Sequence, residues 1–182
     1  MKLFLVRHGE TDWNVNQLFQ GQTDVPLNEN GLSQAEDLAF KLKDEGFDAI
    51  FSSDLQRALA TATIINGYHD LKIQETKLLR EKNFGEMEGK LREEVEKAHP
   101  QYFLQEGGVS LDYVIPGGES WNAVYSRVKK FFAALKKQDY KQVLLVAHGG
   151  VIRSYFHLIK GLSKAEIREI PMPNCAVFEE TL

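Results

Sequence analysis

Leu3-Phe4-Leu5-Val6-Arg7-His8-Gly9-Glu10-Thr11 opens the chain, and the rest is read outward from it. Its first four residues are an apolar run too short for a helix, closed by a polar, glycine-bearing turn. That pattern predicts a buried β-strand. Where the strand ends, a guanidinium and an imidazole stand side by side, and open α/β sheets bind ligands at strand carboxyl ends. Arg7 offers a planar fork suited to phosphate or carboxylate. His8 offers a nitrogen that serves as nucleophile, base or metal ligand near neutral pH.

Similar corners recur along the chain. Phe47-Asp48-Ala49-Ile50-Phe51 predicts a second strand, ended by Ser52-Ser53-Asp54. Ser53 and Gln56 then stand in capping-box spacing for a helix that carries Arg57 in an early turn. Gln142-Val143-Leu144-Leu145-Val146-Ala147 is the clearest strand. It runs into His148-Gly149-Gly150 and a helix from Val151 to Ile159, stopped by Gly161. Leu71 to Gln74 and Ala176 to Phe178 are weaker strand candidates. Helical spacing follows Asn28 (Leu32, Ala35, Leu38, Ala39, Leu42, with Gly46 as the stop) and Ser120 (Trp121, Val124, Val128, Phe131, Phe132, Leu135). Leu91 to His99 predicts a charged helix, and Ser163 with Glu166 caps a short one. Strands alternating with helices in this way predict an α/β fold with a mainly parallel sheet and helices on both faces, forming one domain over residues 1–182. Trp13 to Pro26 reads as a loop over the site. Gln105 to Gly118, with four glycines and a proline, reads as a mobile flap.

Composition bounds the function. A formal net charge of −4 argues against a general grip on nucleic acid or an anionic membrane, while leaving room for a local anion site. The lone Cys175 allows no intrachain disulfide, fits a reducing compartment and reads as a packed thiol. No stretch reads as a secretory signal or a membrane span, so the expected location is the cytoplasm.

If the strands are parallel, Arg7, His8, Arg57, Glu81 and His148 share one edge of the sheet. A metal is not expected there. No histidines stand at helical ligand spacing, and two arginines would repel a cation. Neither the P-loop nor the dinucleotide glycine pattern occurs. Phosphoryl transfer, by contrast, uses every member. Arginines hold phosphoryl oxygens without a protonation switch. His8 attacks if one ring nitrogen is free and a hydrogen bond to the Gly9 backbone fixes the other. Arg7 and Arg57 should keep that ring neutral by lowering its pKa. His148, if charged beside a bound dianion, would stabilise the equatorial oxygens. A carboxyl held protonated by the phosphate gives the leaving alcohol its proton and later acts as base for water. Glu81 is the candidate, with Glu86 and Glu88 close enough in sequence to leave the choice open.

These residues also carry a resemblance. Leu5 to Thr11 resembles the signature of the histidine phosphatase superfamily, in its cofactor-dependent phosphoglycerate mutase branch. The likeness continues through Gly31, Ser52 to Ala58, Leu79 to Glu86, Pro116 to Ser120 and Ala147 to Gly150. It implies a three-layer α/β/α sandwich with His8 as the phosphorylated nucleophile and Glu81 as proton donor. Arg7, Arg57 and His148 would form the phosphate pocket with Asn14 assisting. From the loop itself, the amides of Asn14 and Gln20 are expected to reach a ligand's oxygens, and Gly21 and Gly149 are expected substrate contacts beside them. Two departures bear on substrate. The mutases' inserted segment with paired arginines is missing, leaving Arg92 alone in that region. Gln22 also stands where many relatives have tryptophan. A shorter, wetter site favours water as acceptor, so the expected activity is hydrolysis of a small phosphorylated metabolite without metal or organic cofactor. The alternatives are a mutase, which alone would call for 2,3-bisphosphoglycerate, and a non-catalytic phospho-ligand binding protein. Relatives of similar length handle sugar phosphates, phosphoglycerates, phosphoserine and the nucleotide-loop phosphate of cobalamin synthesis. Oligomeric state is not readable here.

Overall fold

Leu3 and Leu5 leave the first strand on one side, Phe4 and Val6 on the other, and all four are fully buried. A strand apolar on both faces needs cover on both, as parallel sheets do. The structure, a computed structural model, describes residues 1–103 and 109–182. Five strands form one sheet: β1 (Lys2–Arg7), β2 (Ala49–Ser52), β3 (Ile73–Glu75), β4 (Gln142–Ala147) and β5 (Val177–Thr181). Their order is β3-β2-β4-β1-β5. The first four are mutually parallel, and β5 runs antiparallel along the free edge of β1.

Helices α2 (Glu29–Leu42) and α3 (Gln56–Asn66) cover the face bearing Phe4, Val6, Ile50, Leu144 and Val146. Helices α5 (Trp121–Leu135), α6 (Gly149–Leu158) and α7 (Lys164–Glu169) cover the opposite face, where Leu3, Leu5, Val143 and Leu145 meet Val128, Phe132 and Tyr155. This is the α/β/α sandwich expected. A third, smaller apolar cluster lies beside the sheet's ligand-binding end. There Met87, Val95 of α4 (Arg92–Ala98), Tyr102 and Ile115 are buried among Phe19, Phe84, Phe103 and Tyr113. No described helix is long and apolar enough to cross a membrane.

Four local expectations need correction. The loop from Trp13 begins inside a short helix, α1 (Asp12–Val15), closed by a Thr11–Asn14 capping box too short to show any period. Ser53 does not cap α3. Its N–H extends the sheet to Val146 O at 3.0 Å, and the helix starts two residues later behind Leu55. The cap comes from far away, with Asp24 Oδ1 accepting from Gln56 N at 2.8 Å. Gly46 is not the stop of α2, which closes at Lys43. The described part of the expected flap, residues 109–118, is irregular but anchored: Ile115 is fully buried, and Pro116 O accepts from Glu86 N at 3.1 Å. Residues 105–108 lie outside the described residues.

Candidate active site

The register of the sheet explains why two distant histidines meet. Arg7 pairs with Ala147 across the parallel β1–β4 ladder, so the next residue on each strand is a histidine at the same height. The two rings lie 5.1 Å apart between centroids, and both side chains are buried. The His8 turn is held from three sides. His8 N donates to Ala147 O at 3.0 Å, Gly9 N donates to Thr61 Oγ1 at 3.0 Å, and Asn174 Nδ2 donates to His8 O at 3.0 Å.

The tautomers follow from the partners. His8 Nδ1 lies 2.7 Å from Gly9 O, which can only accept, so Nδ1 carries the hydrogen and Nε2 keeps its lone pair. His148 Nε2 lies 2.9 Å from Ser53 Oγ, which already accepts from Leu55 N at 3.3 Å. Among the described residues His148 Nε2 is the one acceptor in reach of the Ser53 hydroxyl hydrogen; with that hydrogen directed there, the ring carries its own on Nδ1, a buried atom with no partner among the described residues. Burial, followed by the Arg57 and Arg7 charges, holds His8 well below the ordinary histidine value. Burial comes first for His148 too, with Arg57 and His8 next. Both rings are therefore neutral at neutral pH.

Arg57, on the first turn of α3, is wholly buried. Nη2 donates to Gly21 O at 2.7 Å and Nη1 to Thr23 O at 3.0 Å, while Nε has no partner among the described residues. Burial lowers its pKa to about 10, which leaves it charged at neutral pH. Arg7 Nη1 donates to Met172 O, and its buried Nε likewise has no partner among the described residues. The N–H of Gly149, at the first position of α6, lacks an intrahelical acceptor by construction, and that end of the helix favours negative charge.

Glu81 is suspended over this group. Oε1 accepts from Lys82 N at 2.8 Å and Oε2 from Gly150 N at 3.0 Å. A Cβ on Gly150 would overlap Glu81 Oε1, so the glycine is what leaves the carboxylate its place. The other two carboxylates are employed elsewhere. Glu88 accepts from Gln22 N at 2.9 Å, Thr23 N at 2.8 Å and Phe84 N at 3.0 Å. Glu86 faces His99 at 3.0 Å. Behind Glu81, Arg127 Nη2 and Gln22 Nε2 both donate to its backbone carbonyl, at 3.0 and 3.1 Å. Gln22 therefore supports the Glu81 backbone from behind and is not itself part of the cavity lining.

Arg7, His8, Asn14, Gln20, Gly21, Arg57, Glu81 and Gly149 all line one cavity of about 340 Å³. His148 stands beside His8, just behind that lining. Asn14 spends Oδ1 on Thr11 and Asn174, leaving its NH₂ for the cavity it lines. Gly21, at φ +56°, acts through its carbonyl on Arg57, and a side chain there would overlap Glu88. Gln20 is nearly buried, with Oε1 unpartnered. Phe19, Phe84 and Trp121 reach the cavity, while Tyr102, Phe103 and Tyr113 pack in the third cluster. Among the described residues no group of three or more His, Cys, Asp or Glu is placed to hold a metal ion. Apart from Gln20 Oε1, the buried open valences among the described side chains of the site are the N–H groups of Arg7, Arg57 and His148, which suit an anion.

The sequence reading missed Ser53, Arg127, Gly150, Asn174, Trp121 and Arg153. Trp121 was legible only as a core residue. Arg153 was legible in principle, since it lies on the first turns of the helix that His148 opens.

Comparison with known proteins identifies the family. The model of the histidine phosphatase superfamily (branch 1) matches residues 3–180. An uncharacterised phosphatase of Bacillus subtilis, PhoE, is 40% identical over 159 residues, covering 86% of this chain and 76% of that one. Phosphoserine phosphatase 1 of Hydrogenobacter thermophilus is 35% identical over 163 residues, covering 89% of this chain and 77% of that one. Among solved structures, a phosphoserine phosphatase variant from Entamoeba histolytica in complex with phosphoserine superposes with a TM-score of 0.82 at 28% identity, covering 98% of this chain and 89% of that one. The chain belongs to the histidine phosphatase superfamily, branch 1.

Proposed function

We propose that the protein is a phosphomonoesterase that hydrolyses small phosphorylated metabolites through a phosphohistidine on His8, without metal or organic cofactor. One observation carries this reading: buried, unpartnered N–H donors on Arg7, Arg57 and His148 converge beside a neutral imidazole whose Nε2 lone pair is free. Unsatisfied buried donors are costly, and a phosphoryl group supplies the acceptors they lack.

His8 Nε2 attacks phosphorus, and the ester P–O bond breaks. Arg7, Arg57, His148 Nδ1–H and the N–H of Gly149 hold the three equatorial oxygens, with the NH₂ of Asn14 assisting. Gln20 and Gly21 frame the ester side. Glu81 gives its proton to the departing alkoxide. It then takes one from the water that attacks the phosphohistidine, and orthophosphate leaves with His8 neutral again. The single cysteine and this chemistry suit the cytoplasm.

The test is release of phosphate from p-nitrophenyl phosphate in the presence of EDTA. Wild-type protein should turn over, be inhibited by orthovanadate and form an acid-labile phosphoenzyme. His8→Ala should lose at least ~10³-fold in kcat and form none, the scale expected when a nucleophile is removed. Full activity of His8→Ala would remove the proposal. Faster conversion of 3-phosphoglycerate to 2-phosphoglycerate than release of phosphate, with catalytic 2,3-bisphosphoglycerate present, would replace it by the mutase. Tight binding of phosphate esters without turnover would leave only a binding protein.

A further inference from the structure

Beyond the wall formed by Trp121, Gly150 and Arg153, a second cavity of about 560 Å³ adjoins the one that holds His8, and those three residues line both. Four cationic side chains border it: Arg92, Arg153, Lys164 and Arg168. The described residues that line it include no carboxylate. In a chain of net charge −4 that is a local reversal of sign. Arg92 has a counter-ion in Glu96, at 2.6 Å. Arg153, Lys164 and Arg168 make no ion pair among the described residues. Lys164 and Arg168 stand one turn apart on α7, so their charges sit on one side of the helix.

The uncharged part of the wall is mostly apolar, with Trp121 and Tyr125 beside Val109, Leu111 and Ile167. Trp121 and Tyr125 lie 6.2 Å apart between ring centroids, and Trp121 Nε1 donates to Tyr102 Oη at 3.0 Å, which fixes the indole's orientation. Phosphorylation chemistry has no need of this cavity. An alcohol portion longer than a few atoms, leaving the first cavity past Gly150, has to enter it.

We propose that this cavity is the binding site for the remainder of the substrate, and that the preferred substrate is a phosphomonoester with a ring- or chain-sized body and a second anionic group at its far end. The body rests on Trp121 and Tyr125, and the distal anion is met by Lys164 and Arg168, with Arg153 between the two ends. The proposal rests on the phosphatase reading of the first cavity and adds a substrate class to it. Carboxylate and phosphate share the chemistry that these cations recognise.

The experiment compares matched pairs by kcat/KM. Glucose 1,6-bisphosphate is set against glucose 6-phosphate, and 6-phosphogluconate against glucitol 6-phosphate. Members of each pair differ only in the distal group, and the two pairs separate phosphate from carboxylate. Wild-type protein should prefer the member with the distal anion in at least one pair by about tenfold, the scale of one charge-assisted contact. The preference should shrink as salt is raised from 20 to 300 mM, because these cations are exposed (order-of-magnitude screening lengths ~20 Å and ~6 Å). Lys164→Ala/Arg168→Ala should bring the ratio close to one, chiefly through KM, and Lys164→Arg/Arg168→Lys should restore it. Equal rates within both pairs for wild-type protein, with p-nitrophenyl phosphate still hydrolysed, would overturn this inference alone. Absence of turnover on every ester would instead bring down the phosphatase reading on which it rests.

Discussion

Gly150→Ala isolates the placement of Glu81 from everything else in the site. The new Cβ would overlap Glu81 Oε1 and come within 3.0 Å of both Glu81 Cδ and Trp121 Cη2. The indole is fixed by Tyr102, so the carboxylate yields. Clearing the overlap takes a retreat of roughly 1 Å, which breaks the 3.0 Å bond from Gly150 N. A misplacement of that size costs about 10²-fold in rate, or ~2.7 kcal/mol of barrier, within the ~10²–10⁴-fold that a positioned general acid supplies. The backbone is untroubled, since Gly150 is helical and alanine is the better helix former by up to ~1 kcal/mol. The assay is single-turnover release of the alcohol from an alkyl phosphate and of nitrophenol from p-nitrophenyl phosphate, with thermal unfolding alongside. The alkyl ester should slow about 10²-fold. The aryl ester, whose leaving group needs little protonation, should slow by less than about tenfold, and the melting temperature should hold or rise. Equal slowing of both esters, or none, would refute the assignment of Glu81 as the acid.

Three further outcomes follow from the same geometry. Ser53→Ala removes the hydroxyl that holds His148 Nε2, so kcat should fall about tenfold and orthovanadate should bind more weakly, with the fall greatest at high pH where the ring cannot regain a donor by protonating; unchanged vanadate affinity would show that Ser53 does not orient the ring. Both site histidines are neutral when folded and have folded pKa values below the ordinary 6.5, so their contribution to stability is full above that pH and is lost as pH falls toward the folded values. The free energy of urea unfolding should drop below about pH 6.5 with a slope of up to ~1.4 kcal/mol per pH unit for each ring, and His8→Asn should remove one ring's share; identical slopes would refute it. Glu88→Gln weakens the carboxylate that gathers Gln22, Thr23 and Phe84, so stability should fall by about 2 kcal/mol and KM for p-nitrophenyl phosphate should rise as Arg57 loses its carbonyl partners, with kcat on saturating substrate much less affected; a loss confined to kcat would place Glu88 in the chemistry instead.

Much of the site was readable because it sits where regular structure ends. β1 and β4 declare themselves by unbroken apolar runs, and their last residues lead straight into His8 and His148. Arg57 needed only a strand followed by a helix. What stayed hidden depends on contacts across the fold. Capping-box spacing assigned Ser53 to the start of α3, yet its N–H belongs to the sheet, its hydroxyl serves His148, and the cap is supplied by Asp24. Spacing could not separate Glu81 from Glu86 and Glu88. The hydrogen bond from Gly150 and the employment of Glu88 by the 22–23 loop do so. Arg127 and Asn174 carry no local signal at all, because each acts on the backbone of a residue far away in sequence.

The turn bearing His8 is completed by residues from the opposite end of the polypeptide. Asn174 donates to His8 O, Cys175 N to Arg7 O at 3.1 Å, and Ala147 O receives His8 N. Closures of this span are entropically slow and gain nothing from local order. During refolding, helices and their circular dichroism should therefore return first, and turnover should recover only in the last kinetic phase, once those long-range ties have closed.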